Sequence, residues 1–123
     1  MKIAQQYLAV AIAGSLGAML RFFVATVCRR YLPGSFPVGT FIINISGSFF
    51  LGWFLAAFGS RLELVRLAVA VGFVGAYTTF STYMFESNEL LTQRAQFVAL
   101  IYLIGSVAAG LISVRAGIWL GSR

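Results

Sequence analysis

Histidine is absent from this chain of 123 residues, and cysteine occurs once, at Cys28. Those two shortages exclude zinc clusters, Cys–His and Ser-His-Asp catalytic sets, and any disulfide framework within the chain. A lone thiol carries no information about redox compartment. Acidic residues number three, none of them in the first 60 positions and none at the centre of an apolar run. A proton-coupled exporter normally needs a titratable carboxylate at the membrane midplane, so that mechanism is disfavoured. Charge of either sign is scarce at 10% of residues, against about 25% in a soluble domain. With 60% hydrophobic residues and a mean hydropathy of +0.93, water is the wrong solvent for this surface. Nine Lys/Arg give a net charge of +6, but they are scattered singly or as one pair. Nucleic-acid surfaces cluster such residues on one face. The chain reads as a membrane protein that binds no nucleic acid.

The gaps between charges mark the spans. No charge falls between Ile3 and Leu20, between Tyr31 and Ser60, between Leu67 and Phe85, or between Ala95 and Val114. A spanning helix needs about 20 mostly apolar residues, and each gap holds one once the segment Pro33-Gly34-Ser35-Phe36-Pro37 is set aside. The expectation is one all-α domain over 1–123, with transmembrane helices near 3–28, 38–59, 64–90 and 95–119. Short connections make sequential helices antiparallel. Lys2 and the apolar stretch after it fit a signal peptide superficially, yet the other three segments stay in the membrane and their number would be odd. A lone bundle of four helices has little interior, so oligomerisation is expected. Gly14/Ala18, Ser48/Gly52 and Ser106/Gly110 are spaced as small-residue contact faces, and ordinary packing within the chain explains each pair equally well.

With an even number of spans both termini share one side. Lys2, Arg61, Arg66, Arg115 and Arg123 fall there, and Arg21, Arg29, Arg30 and Arg94 fall opposite, five against four. Setting aside Arg21 and Arg115 as partly buried leaves four against three, an equally weak bias. The positive-inside rule needs an imbalance to fix orientation, so the chain is expected to insert both ways round. Two inverted copies can then pair about an axis in the membrane plane.

Polar groups inside lipid are costly and are usually functional or paired. Asn44 lies one turn past Gly39-Thr40 in the second helix, and it either bonds a neighbouring helix or lines a polar path. The stretch Gly72-Phe73-Val74-Gly75-Ala76-Tyr77-Thr78-Thr79-Phe80-Ser81-Thr82-Tyr83 concentrates glycine, threonine and aromatics at mid-span, all poor choices for a continuous helix. It reads as a helix broken at mid-membrane, with freed carbonyls that offer a cation site. The alternative is a kinked helix whose hydroxyls bond back to the preceding turn. Tyr102 and Ser106 share one face of the fourth helix. Arg21 and Glu86 either snorkel to the headgroups or, for Glu86, pair with an arginine. Phe80 and Tyr83, three apart, can turn positive ring edges toward an anion, although two aromatics at helical spacing are more often packing.

These residues resemble the small bacterial fluoride channels called Fluc or CrcB, over nearly the whole length. The likeness rests on Gly17-Ala18-Met19-Leu20-Arg21, on Gly39-Thr40 with Asn44, on Gly72 to Thr82, and on Gly105-Ser106. It implies a non-enzymatic, fluoride-selective channel in the cell inner membrane, giving passive, potential-driven export that lowers cytoplasmic fluoride. It implies an antiparallel, dual-topology homodimer with two pores and a central structural sodium ion. By position, the backbone carbonyls of Gly75 and Thr78 would hold that sodium. The fluoride path falls on Asn44, Phe80, Tyr83, Ser81, Thr82, Tyr102 and Ser106, with Arg21 and Glu86 in the vestibules. Two departures stand out: Tyr83 occupies a position where the family usually has Phe, and Ala76 replaces a common Gly. Two other classes compete. A small multidrug exporter requires a membrane-embedded Glu in its first helix, which is missing here, and an assembly subunit would move nothing by itself.

Overall fold

The computed structural model describes residues 2–60 and 62–123; Arg61, counted above among the basic residues, lies outside them. The described residues form helices and turns without a strand. Helix α1 spans Ile3–Tyr31 and α2 spans Val38–Phe58. The third span, Glu63–Thr92, is assembled from α3 (Glu63–Arg66), a π-helical stretch (Leu67–Val74), α4 (Gly75–Tyr77) and α5 (Ser81–Thr92). Helix α6 covers Gln96–Gly121. All four spans are long and apolar enough to cross a bilayer.

The ends follow from local chemistry. Helix α1 runs to Tyr31, three residues beyond the expected end, because Arg29 and Arg30 suit the negative end of the helix dipole. It stops where Leu32 precedes Pro33, a position that proline pushes out of helical geometry, and Leu32 takes φ −127° and ψ 58°. Pro37 leads straight into α2, although no side chain caps that end. The chain reverses between α5 and α6 through Arg94, at φ 59°. The reversal is closed by Arg94 N–H to Leu91 O (3.2 Å) and Ala95 N–H to Leu90 O (2.9 Å). A left-handed arginine is strained by about 1–2 kcal/mol, and these two bonds offset that cost.

Glycines set how the helices meet. Helix α2 packs chiefly on α6, and α1 on the π-helical stretch. A Cβ on Gly117 would overlap the Phe49 carbonyl oxygen, one on Gly52 the Val114 carbonyl oxygen, and one on Gly121 the Trp53 carbonyl oxygen. Residue numbers rise together along this contact, so α2 and α6 run parallel. A Cβ on Gly17 would overlap the Phe73 carbonyl, and one on Gly72 would sit 2.8 Å from the Val10 carbonyl oxygen. A π-helix is wider than an α-helix and is seldom sustained; here it lies where Gly72 meets α1 backbone to backbone. Gly14 and Gly52 thus serve contacts within the chain, and Gly110 approaches Ser48.

The buried core is small, and one cluster of it sits at one end of the bundle. That cluster is Tyr83, Leu90, Ala99 and Tyr102, with Phe36, Phe41 and Met84 packed against them, while Cys28, Ile43, Phe54, Val74 and Tyr77 are buried outside it. Between 6% and 22% of each span's most apolar window is buried inside the chain, so most of the apolar surface is turned outward. Gly117→Leu should force α2 from α6 and cost about 1–3 kcal/mol. Thermal unfolding in detergent should register that loss, whereas Gly34→Ala, at a loop position where nothing approaches within 4 Å, should unfold like the parent.

Candidate functional site: a helix interruption held by an asparagine

Helical geometry stops at Tyr77 and resumes at Ser81, with Thr78 extended at φ −82° and ψ 162°. β-Branched residues are stiff at χ1 and weak helix formers, and the hydroxyls here bond to the turn beneath and to one another. Thr78 Oγ1 donates to the Val74 carbonyl at 2.9 Å. The Thr79 hydroxyl donates to Thr82 Oγ1 at 3.1 Å and accepts from the Thr82 N–H at 3.2 Å. It thereby does for the start of α5 what an N-cap hydroxyl does for any helix.

Asn44 completes the arrangement from α2. Its Nδ2 donates to the Thr79 carbonyl at 2.9 Å, and its Oδ1 accepts from the Thr79 N–H at 2.9 Å. One side-chain amide therefore satisfies both polar groups of one peptide residue. In a continuous helix the carbonyls of Gly75 and Thr78 would accept from the N–H groups of Thr79 and Thr82. Both donors are turned elsewhere, to Asn44 and to the Thr79 hydroxyl. Gly47 keeps α2 close at this level, since a Cβ there would overlap the Thr78 methyl. The Ser46 hydroxyl meets the Tyr77 hydroxyl at 2.9 Å.

A second cluster lies toward the end of the bundle. Glu86 Oε1 accepts from the Thr40 hydroxyl at 2.8 Å, and Oε2 accepts from the Tyr102 hydroxyl at 2.7 Å. Thr40 and Tyr102 are both buried. Among the described residues Glu86 takes hydroxyl partners rather than an arginine, because α5 aims its carboxylate between α2 and α6. Tyr83 joins the clusters. Its ring meets Phe80 edge-on at 6.0 Å and Tyr102 at 5.1 Å, and Phe36 adds a third such contact with Tyr102 at 5.3 Å. The Tyr83 hydroxyl donates to the Leu103 carbonyl at 2.7 Å. The extra phenol is thus engaged by α6, and the ring edge is what remains for other partners.

The remaining candidates separate. Phe80 is 71% exposed, and it lines a cleft with Asn44, Ser48, Thr78, Thr79 and Tyr83. Ser81 is exposed, its hydroxyl 3.5 Å from that of Thr79. Arg21 lines a hollow shared with Thr40, Thr79 and Thr82. Ser106 stands apart from both clusters: its hydroxyl is buried without a hydrogen-bond partner among the described residues. Thr40 and Thr79 are the two hubs that the sequence reading left off the path. Their signal was spacing, a hydroxyl one helical turn before Asn44 and another inside the Gly/Thr stretch.

Chemically, the clefts offer neutral donors, ring edges, one carboxylate and the Arg21 guanidinium. Among the described residues no group of three or more His, Cys, Asp or Glu side chains gathers to hold a metal. Released carbonyl oxygens are hard ligands, suited to an alkali or alkaline-earth cation. Gly75 is exposed on the chain's surface, so such a cation would sit at its edge and take further ligands from outside.

Residues 8–118 match the family described as CrcB-like protein, Camphor Resistance (CrcB). The chain is similar to proteins named fluoride-specific ion channel. It is 42% identical over 117 residues to FluC 1 of Moorella thermoacetica, covering 93% of this chain and 84% of the relative. It is 43% identical over 114 residues to FluC 2 of Geobacillus kaustophilus, covering 90% and 88%. It is 38% identical over 121 residues to FluC of Acidobacterium capsulatum, covering 96% and 97%.

The asparagine clamp is testable by itself. Asn44→Ala removes both bonds to Thr79, each worth about 1 kcal/mol net and more when its partner is left buried and unpaired. Deuterium exchange of amides 78–82 should accelerate by an order of magnitude or more, while α6 exchanges as before; unchanged protection at Thr79 would contradict the clamp.

Proposed function

The chain belongs to the CrcB-like protein family, and from that membership we propose that it is a fluoride-selective ion channel rather than an enzyme. The observation that carries the proposal is identity of 38–43%, over nearly all of the chain, to proteins named fluoride-specific ion channel. The four apolar spans make it a multi-pass membrane protein, which we assign to the cell inner membrane. Fluoride is small and tightly hydrated, so a pore must offer close donors in place of water. The cleft beside the helix interruption supplies that chemistry. Asn44 Nδ2 carries two hydrogens; one is engaged by the Thr79 carbonyl and the second is left for an anion. The path continues over Ser81, Thr82, Tyr102 and Ser106, with the ring edges of Phe80 and Tyr83 bridging the gaps between donors. The unpartnered Ser106 hydroxyl fits a donor waiting for a mobile partner. Arg21 and Glu86 occupy the vestibules.

The assembly we propose is an antiparallel, dual-topology homodimer with two pores. The outward-facing apolar surface and the near-balanced basic residues support it. A structural sodium ion at its centre fits the carbonyls of Gly75 and Thr78, which the Asn44 and Thr79 side chains release from helical bonding. When bound, sodium would supply a fixed positive charge that raises anion occupancy nearby. Transport is passive: hydrogen fluoride enters as a neutral acid, ionises inside, and the membrane potential drives the anion out.

Reconstituted protein should release fluoride from liposomes far faster than empty vesicles, with chloride retained; equal chloride flux, or no fluoride release, rejects the proposal. Asn44→Asp, which sets a repelling charge beside the path, should reduce fluoride flux at least tenfold. Phe80→Ile should reduce flux while the protein elutes at the parent's size, and full activity would demote Phe80 to packing.

A further inference from the structure

The end of the bundle that carries Glu86 opens to the outside through a cleft distinct from the one beside the interruption. Its walls are the last turn of α1, the loop 32–37 and the first turn of α2, and its lining includes Cys28, Arg29, Phe36, Gly39, Thr40 and Glu86. The floor is the hydroxyl–carboxylate cluster, with Thr40 and Tyr102 each donating to Glu86. This cleft therefore connects the exposed loop to Thr40 and to Glu86, the carboxylate assigned above to a vestibule of the proposed path.

That connection poses an electrostatic problem. A carboxylate repels an approaching anion, and the carbonyl ends of α1 add negative potential at the same rim. Hydroxyl donors spread the charge of Glu86 without cancelling it. A guanidinium keeps its positive charge at any physiological pH, and Arg29 brings one to the same cleft. Its neighbour Arg30 is not part of that lining and lies 5.6 Å from the Tyr31 ring centroid. Two adjacent arginines on one helical turn thus have different surroundings, one turned to the cleft and one away.

We propose that Arg29 is the anion-concentrating residue at this mouth, offsetting Glu86 so that a halide reaches the Thr40–Glu86–Tyr102 cluster. The inference rests on the fluoride-channel reading and adds to it an entrance and the charge that serves it. Because Arg29 is exposed, its influence must be screened by salt: the Debye length is about 30 Å at 0.01 M and about 3 Å at 1 M. Focusing of this kind raises anion entry by about tenfold or more.

The test is fluoride current through the reconstituted full chain in planar bilayers, at fixed fluoride, with ionic strength set by an impermeant salt at about 0.01 M and then about 1 M. Arg29→Gln should lower the low-salt current by about three- to tenfold, the deficit should vanish at high salt, and Arg29→Lys should match the parent. Arg30→Gln, which removes the same charge one residue away, should conduct like the parent at both strengths. A normal low-salt current in Arg29→Gln overturns the inference, as does a deficit that persists at high salt or is shared by Arg30→Gln. In each of those cases the parent still conducts and the channel reading stands. A parent that carries no fluoride current overturns the channel reading and this inference together.

Discussion

Two hydrogen bonds between the Asn44 amide and the Thr79 peptide groups govern the layout of this protein. Backbone polar groups at membrane depth must be satisfied within the protein, since lipid offers nothing in return. An interrupted helix leaves several such groups open, and an amide side chain can donate and accept at once from two atoms of one fixed plane. With Thr79 anchored to α2, the direction of α5 is set. Tyr83 then meets Leu103 and Glu86 points between Thr40 and Tyr102. The Thr79 N–H, bonded to Asn44, leaves the Gly75 carbonyl out of helical bonding, and the Thr82 N–H, bonded to the Thr79 hydroxyl, leaves that of Thr78. The Asn44 contact and the Thr79 hydroxyl together fix where helical bonding stops and where it resumes.

The spans themselves were legible, because charge cannot sit in lipid cheaply and its absence marks each crossing. The π-helical stretch had no such signature. Leu67–Val74 is uniformly apolar, and its geometry coincides with the contact of Gly72 on α1, which lies in another segment. The site was legible to a similar degree. Asn44, Glu86 and Tyr102 stood out as polar groups in apolar runs, but their partners did not. A threonine hydroxyl bonds equally well to the turn beneath it or to another helix, and both occur here, in Thr78 and Thr40 respectively. Tyr83 illustrates the same limit, since its phenol had no assignable partner until Leu103 was brought beside it.

The helices associate by shape more than by burial. Lipid tails are as apolar as leucine, so membrane helices gain little from hiding apolar side chains from one another and rely on close backbone contact. Here Gly52, Gly117 and Gly121 bring α2 against α6, while Gly17 and Gly72 bring α1 against the third span. The chain is therefore two tight parallel pairs. Asn44 with Thr79, and Tyr83 with Leu103, are among the polar bonds that tie one pair to the other.

The polar wiring has both fixed and reversible parts. At Glu86 the direction is set, with Thr40 and Tyr102 donating. Between Ser46 and Tyr77 either oxygen can supply the hydrogen. A pair of hydroxyl rotors of this kind can reverse its dipole by turning two O–H bonds, with every heavy atom left in place. The lining is thus polarisable without displacing any heavy atom, a soft wall of dipoles built on a rigid frame.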